Sequence, residues 1–155
     1  MRDWSSGKLR VTSELAGAAT VLLGLIFVGL ELRQNTAALS AQAIFDLNNI
    51  SNDNHRLVAQ DDALEELVYN GHKNPDSLSD SDRRRFVRWM RIRFNVAEAA
   101  WIYRKNGIID ESEYTGYRSG LCDDLSSKGT RWFWDNEFGN YAEGFVEDVE
   151  AWCFE

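Results

Sequence analysis

The feature that most constrains this chain is an apolar run from Leu15 to Leu30, LAGAATVLLGLIFVGL, in which Thr20 is the one polar side chain. As an α-helix the run would cover about 24 Å, close to the roughly 30 Å of a bilayer hydrocarbon core. Adding Glu31 and Leu32, together with the stretch from Val11 to Glu14, closes the difference if both glutamates lie at the membrane interface. We therefore predict an N-terminal flank over 1–14, a transmembrane helix over 15–32 and an extramembrane helical domain over 33–155.

Two other interpretations of the run stay open at this point. A cleaved signal peptide fits the basic residues Lys8 and Arg10, but the small-residue site Ala41-Gln42-Ala43 follows the run by about a dozen residues, with charges between. A buried helix of a soluble protein would need the rest of a 155-residue chain to surround a helix that is apolar on every side. We expect the run to be retained as a membrane anchor.

The basic residues near the run predict its orientation. Arg2, Lys8 and Arg10 precede it, whereas Arg33 is followed by no basic residue before Arg56. Because cytoplasmic flanks are enriched in Lys and Arg, we expect a single-pass membrane protein with its N-terminus in the cytoplasm. The main domain would then be extracytoplasmic.

The remainder of the chain has helical periodicity and no alternating run of β-branched residues, so we predict an all-α fold. The membrane helix is expected to continue to about residue 59, and a helix broken near Asn35-Thr36 is the alternative prediction. Cap residues and apolar spacing then predict further helices at Ala63–Tyr69, Asp82–Lys105, Glu111–Leu125, Arg131–Phe138 and Asn140–Cys153. Loops are expected at His72–Ser81 and Ser126–Gly129.

The string LIFVGLELRQNT, Leu25–Thr36, resembles a family of small bacterial single-pass membrane proteins of unassigned function. In these an apolar helix is followed by Arg-Gln-Asn-Thr and then by a helical domain of about this length. The string DSLSDSDRRRF and the Trp-rich segment Arg131–Phe138 are also similar to that family. The resemblance implies a fold type and a membrane location, and it carries no activity and no catalytic residue.

One face of the membrane helix is the first candidate site. Small residues recur there every four positions, a spacing that lets two helices approach closely in lipid, and polar groups continue the same face. We expect a helix-association face, or in a homo-oligomer a pore lining with a ring of carboxylates. Its members are Ala16, Thr20, Gly24, Phe27, Glu31 and Asn35.

Three further groups of residues each admit two interpretations. Arg84, Arg88 and Arg91 share a helix face that either pairs with acidic neighbours or contacts anionic lipid headgroups. Cys122 and Cys153 either form a disulfide or remain two buried thiols. The dense aromatic residues after Thr130 either form the core of the domain or a subunit or membrane-surface contact.

The sequence argues against several functional classes. A net charge of −8 disfavours nucleic acid as a partner. His55 and His72 lack the neighbouring ligands of a zinc or di-iron site, and no nucleophile elbow, phosphate-binding loop or dinucleotide fingerprint occurs. We therefore expect no metal, no cofactor and no enzymatic activity.

Three functions follow from these features as hypotheses. The first is a non-enzymatic, membrane-anchored helical protein that acts through self-assembly or an unidentified protein partner. The second is a small homo-oligomeric cation channel lined by the Thr20, Gly24 and Glu31 face. The third is an enzyme or ligand-binding bundle that uses an interior pocket of the extramembrane domain, which a concave pocket with convergent polar groups would favour.

Overall fold

The computed structural model describes residues 4–154, with side chains described for Glu14 and for 17–154. This part of the chain is all-α, as predicted, and contains no strand. Its elements in chain order are α1 (Trp4–Gln60), α2 (Asp62–Lys73), a 3-10 helix (Pro75–Ser77), α3 (Asp80–Lys105), α4 (Glu111–Leu125), α5 (Lys128–Glu137), a second 3-10 helix (Phe138–Asn140) and α6 (Glu143–Cys153).

α1 runs unbroken for 57 residues. The optional break near Asn35-Thr36 is absent because Thr36 is accommodated within the helix, where its hydroxyl donates to the carbonyl oxygen of Leu32 at 2.9 Å. The chain divides into two compact units between Leu39 and Ser40, inside the segment expected to be extramembrane. The first unit is helical from Trp4 onwards, and the second contains all the remaining elements.

Side-chain caps fix the starts of four helices in the second unit. Asp61 accepts a hydrogen bond from the amide of Leu64 at 3.1 Å, and Ser79 accepts one from Asp82 at 3.1 Å. Asp110 begins α4 with a reciprocal capping box, and Ser127 caps α5. Each cap satisfies an amide that the first helical turn leaves without an intrahelical acceptor.

Several predicted boundaries are wrong. α2 continues through Gly71 to Lys73, and α3 begins at Asp80, so the predicted loop between them shrinks to a short 3-10 segment. α5 begins at Lys128 instead of Arg131, because Ser127 supplies its cap. α6 begins at Glu143 instead of Asn140, which lies in a separate 3-10 helix.

The core of the second unit is aromatic. Its members come from α2 to α6, from Ile109 between α3 and α4, and from the C-terminal part of α1, where Ala43 and Leu47 are buried. Burying each large apolar side chain contributes about 1.5–3 kcal/mol. The largest side chains that are almost completely enclosed are Trp134, Tyr114, Phe86, Phe94, Phe133 and Phe145.

α2 and α5 cross at two glycines, Gly71 and Gly129. A Cβ atom on Gly129 would lie 2.6 Å from the Cα of His72 and nearer still to the carbonyl oxygen of Gly71. A Cβ on Gly71 would in turn enter the ring of Phe86. Only residues without a side chain fit at this crossing, which explains why a glycine lies inside α2 instead of ending it.

Candidate functional site

The apolar part of α1 is exposed from residue 17 to residue 32. Side-chain exposure of its large apolar residues runs from 50% at Val28 to 66% at Leu23. Within the described residues, one helix is long and apolar enough to cross a membrane, and the share of that window buried inside the chain is 0%. By length and composition this helix is a candidate membrane span.

The predicted association face lies on this exposed helix. Because α1 is unbroken, Thr20, Gly24, Phe27, Glu31 and Asn35 fall within an arc of roughly 80°. A Cβ at Gly24 would meet nothing within 4 Å, so the groove at this position is open to a close approach. The side chain of Ala16, the first member of the face, lies outside the described residues.

The arginine face of α3 is only partly neutralised. Arg91 binds Glu137 on α5, with its Nε 3.1 Å from Oε2. Arg84 and Arg88 are exposed and form no ion pair with any residue of the described range. Two of the three guanidinium groups are therefore available to an anionic partner.

Cys122 of α4 and Cys153 of α6 form a disulfide, with Cα atoms 5.0 Å apart. The two cysteines lie at opposite ends of a 31-residue separation that contains α5. The bond links the last residue of α6 to the last turn of α4.

The C-terminal aromatic residues divide between core and surface. Phe133, Trp134 and Phe145 are buried, and Trp134 donates from its indole nitrogen to Glu150. Phe138 is the exposed member of the group at 47%. The core interpretation of this segment accounts for its most buried residues.

A cavity of about 190 Å³ lies between the C-terminal part of α1, α3 and α4, and the sequence analysis did not identify it. Its walls combine aliphatic side chains with a few polar groups and two glycines. Its lining includes Asn54, Ile92, Arg93, Val96, Gly116, Gly120, Leu121 and Asp124.

Polar groups converge on this cavity. Arg93 and Asp124 form a half-buried ion pair, with the Nε of Arg93 3.1 Å from Oδ2. The guanidinium of Arg93 also lies 5.4 Å from the ring centre of Trp89. Asn54 is 5% exposed, and its Oδ1 has no hydrogen-bond partner within the described part of the chain.

One signal for the cavity was present in the sequence. Gly116 and Gly120 lie one turn apart inside α4, where glycine is disfavoured by about 1 kcal/mol relative to alanine. Neither has a positive φ, and a Cβ on either would meet nothing within 4 Å. Their bare backbone therefore opens one wall of the cavity.

His72 belongs to a separate polar cluster at the α2–α5 crossing. Its Nδ1 lies 3.0 Å from the hydroxyl of Ser127 and 3.1 Å from that of Thr130. Burial lowers the pKa of His72, opposed by the charge of Asp124 and reinforced by that of Arg93. At Nδ1 the neutral ring can accept a hydrogen bond from a hydroxyl group, so the cluster joins the two helices.

Ser127 and His72 have the spacing of a nucleophile and its base, but the same hydroxyl also caps α5 by accepting from the amide of Thr130 at 3.2 Å. The hydroxyl is thus already engaged in holding the helix start. His55 is exposed on α1, apart from this cluster in sequence. No group of three potential metal ligands converges anywhere in the described residues.

The chain matches no family model, no curated protein and no solved structure. Function must therefore be argued from the geometry of the chain itself.

Proposed function

We propose that the chain is a single-pass membrane protein of a bacterial cell, in which the apolar part of α1 crosses the bilayer and the remaining helices form an extracytoplasmic domain. The observation that carries the proposal is the exposure of every large apolar side chain from Val21 to Leu32. Water would penalise such a surface by about 25 cal/mol for each Å² left exposed, whereas acyl chains would not.

Two independent features support the extracytoplasmic side. The N-terminal flank carries Arg2, Lys8 and Arg10, as cytoplasmic flanks commonly do. The disulfide between Cys122 and Cys153 belongs in an oxidising compartment, since cytosolic thiols are kept reduced. Both features favour the same topology.

Extraction and labelling test the anchor and its orientation. The chain should remain in the membrane pellet after alkaline carbonate washing, and release into the supernatant would contradict the anchor. Ser77 is exposed and both native cysteines are paired, so Ser77→Cys introduces the one reactive thiol. An impermeant maleimide should label it on intact cells, and labelling only after lysis would reverse the topology.

We further propose that the protein acts by self-assembly or by binding a partner, without enzymatic activity. Lipid gives apolar side chains no incentive to associate, so the gain must come from close backbone packing, which small residues permit. Gly24 offers such an approach on the exposed face of α1. Glu31 continues that face, where a carboxylate gains by meeting protein or water instead of acyl chains.

Native mass spectrometry in mild detergent tests the association face. Gly24→Leu should lower the oligomer order, while Leu22→Phe, on another side of the helix, should leave it unchanged. A monomeric wild type, or a Gly24→Leu variant that assembles like wild type, would show that the face is assigned wrongly.

The cation channel is the alternative function for the same face. In liposomes, it requires a cation flux that Glu31→Gln reduces. A flux of zero for the wild type would remove the channel and leave the anchored scaffold. The lipid role of Arg84 and Arg88 also stays a prediction, and replacing both with Gln should weaken binding to anionic vesicles.

A further inference from the structure

The α1–α3–α4 cavity has the properties of a small-molecule binding site, and this inference does not depend on membrane anchoring. Its volume of about 190 Å³ would hold roughly six water molecules at their share of about 30 Å³ each. A compound of about six non-hydrogen atoms would fill it, at about the same volume per heavy atom.

The first line of evidence is the bare wall of α4. Gly116 and Gly120 have ordinary helical backbone, and open space surrounds the position of each missing Cβ. Neither backbone geometry nor packing against another described residue requires a glycine there. Both glycines are exposed and line the cavity, so the absence of their side chains leaves this wall open.

The second and independent line is the amide of Asn54. This side chain comes from α1 and lines the cavity opposite α4, and its Oδ1 is buried without a donor among the residues described. Leaving a buried acceptor unpaired is unfavourable, so a hydrogen-bond donor that meets Oδ1 when the enclosed amide rotates toward the cavity would be preferred over an isosteric group that cannot donate.

The third line concerns charge. Arg93 and Asp124 neutralise one another at one side of the cavity, and the guanidinium is further held against Trp89. An ion entering the cavity would have to compete with this pair and give up its hydration. The aliphatic side chains of Ile92, Val96 and Leu121 form a further part of the wall, which also contains Ser51, Ala97 and Tyr117.

We propose that this cavity binds a small, uncharged compound that has a hydrogen-bond donor at one end and a short branched aliphatic body. The donor, a primary amide or a hydroxyl, pairs with Oδ1 of Asn54. The aliphatic body contacts Ile92, Val96 and Leu121 and lies against the backbone at Gly116 and Gly120.

Three probes of equal size test the proposal. Isobutyramide carries the donor, 3-methyl-2-butanone replaces the amide nitrogen with a methyl group, and isobutyrate carries a negative charge. Each is titrated into the ¹⁵N-labelled full chain in mild detergent. Isobutyramide should produce saturable shifts at the backbone amides of Gly116 and Gly120 and at the side-chain amide of Asn54.

The ranking of the probes identifies the contacts. The ketone should bind at least about tenfold more weakly than the amide, because it leaves the Asn54 acceptor unpaired. Isobutyrate should also bind more weakly. Tighter binding of isobutyrate would assign the cavity to anions at Arg93 and overturn the proposal.

Matched variants separate the cavity from the rest of the surface. Asn54→Leu should remove the preference for the amide over the ketone, while Asn52→Leu, at an exposed position on the same helix, should preserve it. Gly120→Leu should fill the cavity and abolish the binding of both the amide and the ketone. Circular dichroism checks that each variant is folded. If Gly120→Leu does not fold, Gly120→Val replaces it in the experiment.

Two other results would contradict the proposal. Shifts that do not saturate with isobutyramide would mean that the cavity is merely hydrated. Shifts at Gly116 and Gly120 that follow protein concentration instead of probe concentration would make this face a contact between copies of the chain.

Discussion

The crossing of α2 and α5 gives the sharpest prediction for stability, through the substitution Gly129→Ala. The added methyl group would lie 2.6 Å from the Cα of His72, whereas ordinary contacts begin at 3.4 Å. The atoms that it meets belong to the backbone of α2, so no side-chain rotation can make room. The two helices would have to separate, or α5 would have to lose its first turn.

Forcing an extra methyl group into a packed site costs about 1–3 kcal/mol, and rigid surroundings place Gly129→Ala toward the upper end. The higher helix propensity of alanine offsets little of this cost, because Gly129 lies in the first turn of α5. We therefore expect a loss of about 3 kcal/mol in the free energy of unfolding. With a urea m-value of about 2 kcal/mol/M, the unfolding midpoint would fall by about 1.5 M.

Gly120→Ala is the matched control, since it makes the same chemical change in another helix of the same domain. A Cβ at Gly120 meets nothing within 4 Å, so this variant should gain about 0.5–1 kcal/mol from helix propensity. Urea titrations followed by circular dichroism in mild detergent compare the two. If Gly129→Ala is as stable as wild type, the close approach of α2 and α5 is wrong.

Three further predictions concern the same domain. Replacing both cysteines, with Cys122→Ser and Cys153→Ser, should lower the free energy of unfolding by about 3–4 kcal/mol, as measured by urea titration. The magnitude follows from the length of the loop that the disulfide closes, a separation of 31 residues. Because burial lowers the pKa of His72, the unfolded chain binds more protons than the folded one once the pH falls below 6.5, so stability should decline from pH 7 to pH 5. His72→Gln should flatten that decline in urea midpoints measured across the range, and an unchanged slope would contradict it. Ser127→Ala removes both the α5 cap and a partner of His72 and should cost about 1–2 kcal/mol by the same assay, whereas a loss near zero would mean that neither contact stabilises the fold.

The parts of the fold that could be predicted from sequence are those set by neighbouring residues. Asp110 and Glu113 lie three positions apart and complete a capping box, so the start of α4 is encoded within one turn. The stop of α3 is equally local, because Gly107 adopts a φ of +69° directly after the Asn106 cap.

The boundaries that were missed depend on distant partners. α6 begins after Ala142, whose side chain cannot cap a helix, and its amide donates instead to Oε1 of Glu98 on α3 at 2.7 Å. Gly71 lies inside α2 because the ring of Phe86 occupies the space that a side chain at this position would need. Neither contact leaves a trace in the local sequence.

The candidate sites follow the same rule. The face of α1 repeats every three or four residues along one helix, so its members could be named in advance. The cavity brings together Asn54, Arg93 and Gly120 from three helices, and only the glycine spacing in α4 marks it in the sequence. Where a site is assembled by tertiary contacts, periodicity within one element cannot reveal it.

The covalent bond between Cys122 and Cys153 also changes what cleavage by a protease can achieve. The chain between the two cysteines, including all of α5, is a closed ring. One cut within this ring opens it without releasing a fragment, since both new ends stay attached through the sulfur atoms. The nicked protein would gain only the mass of one water molecule and would separate into two pieces only after reduction.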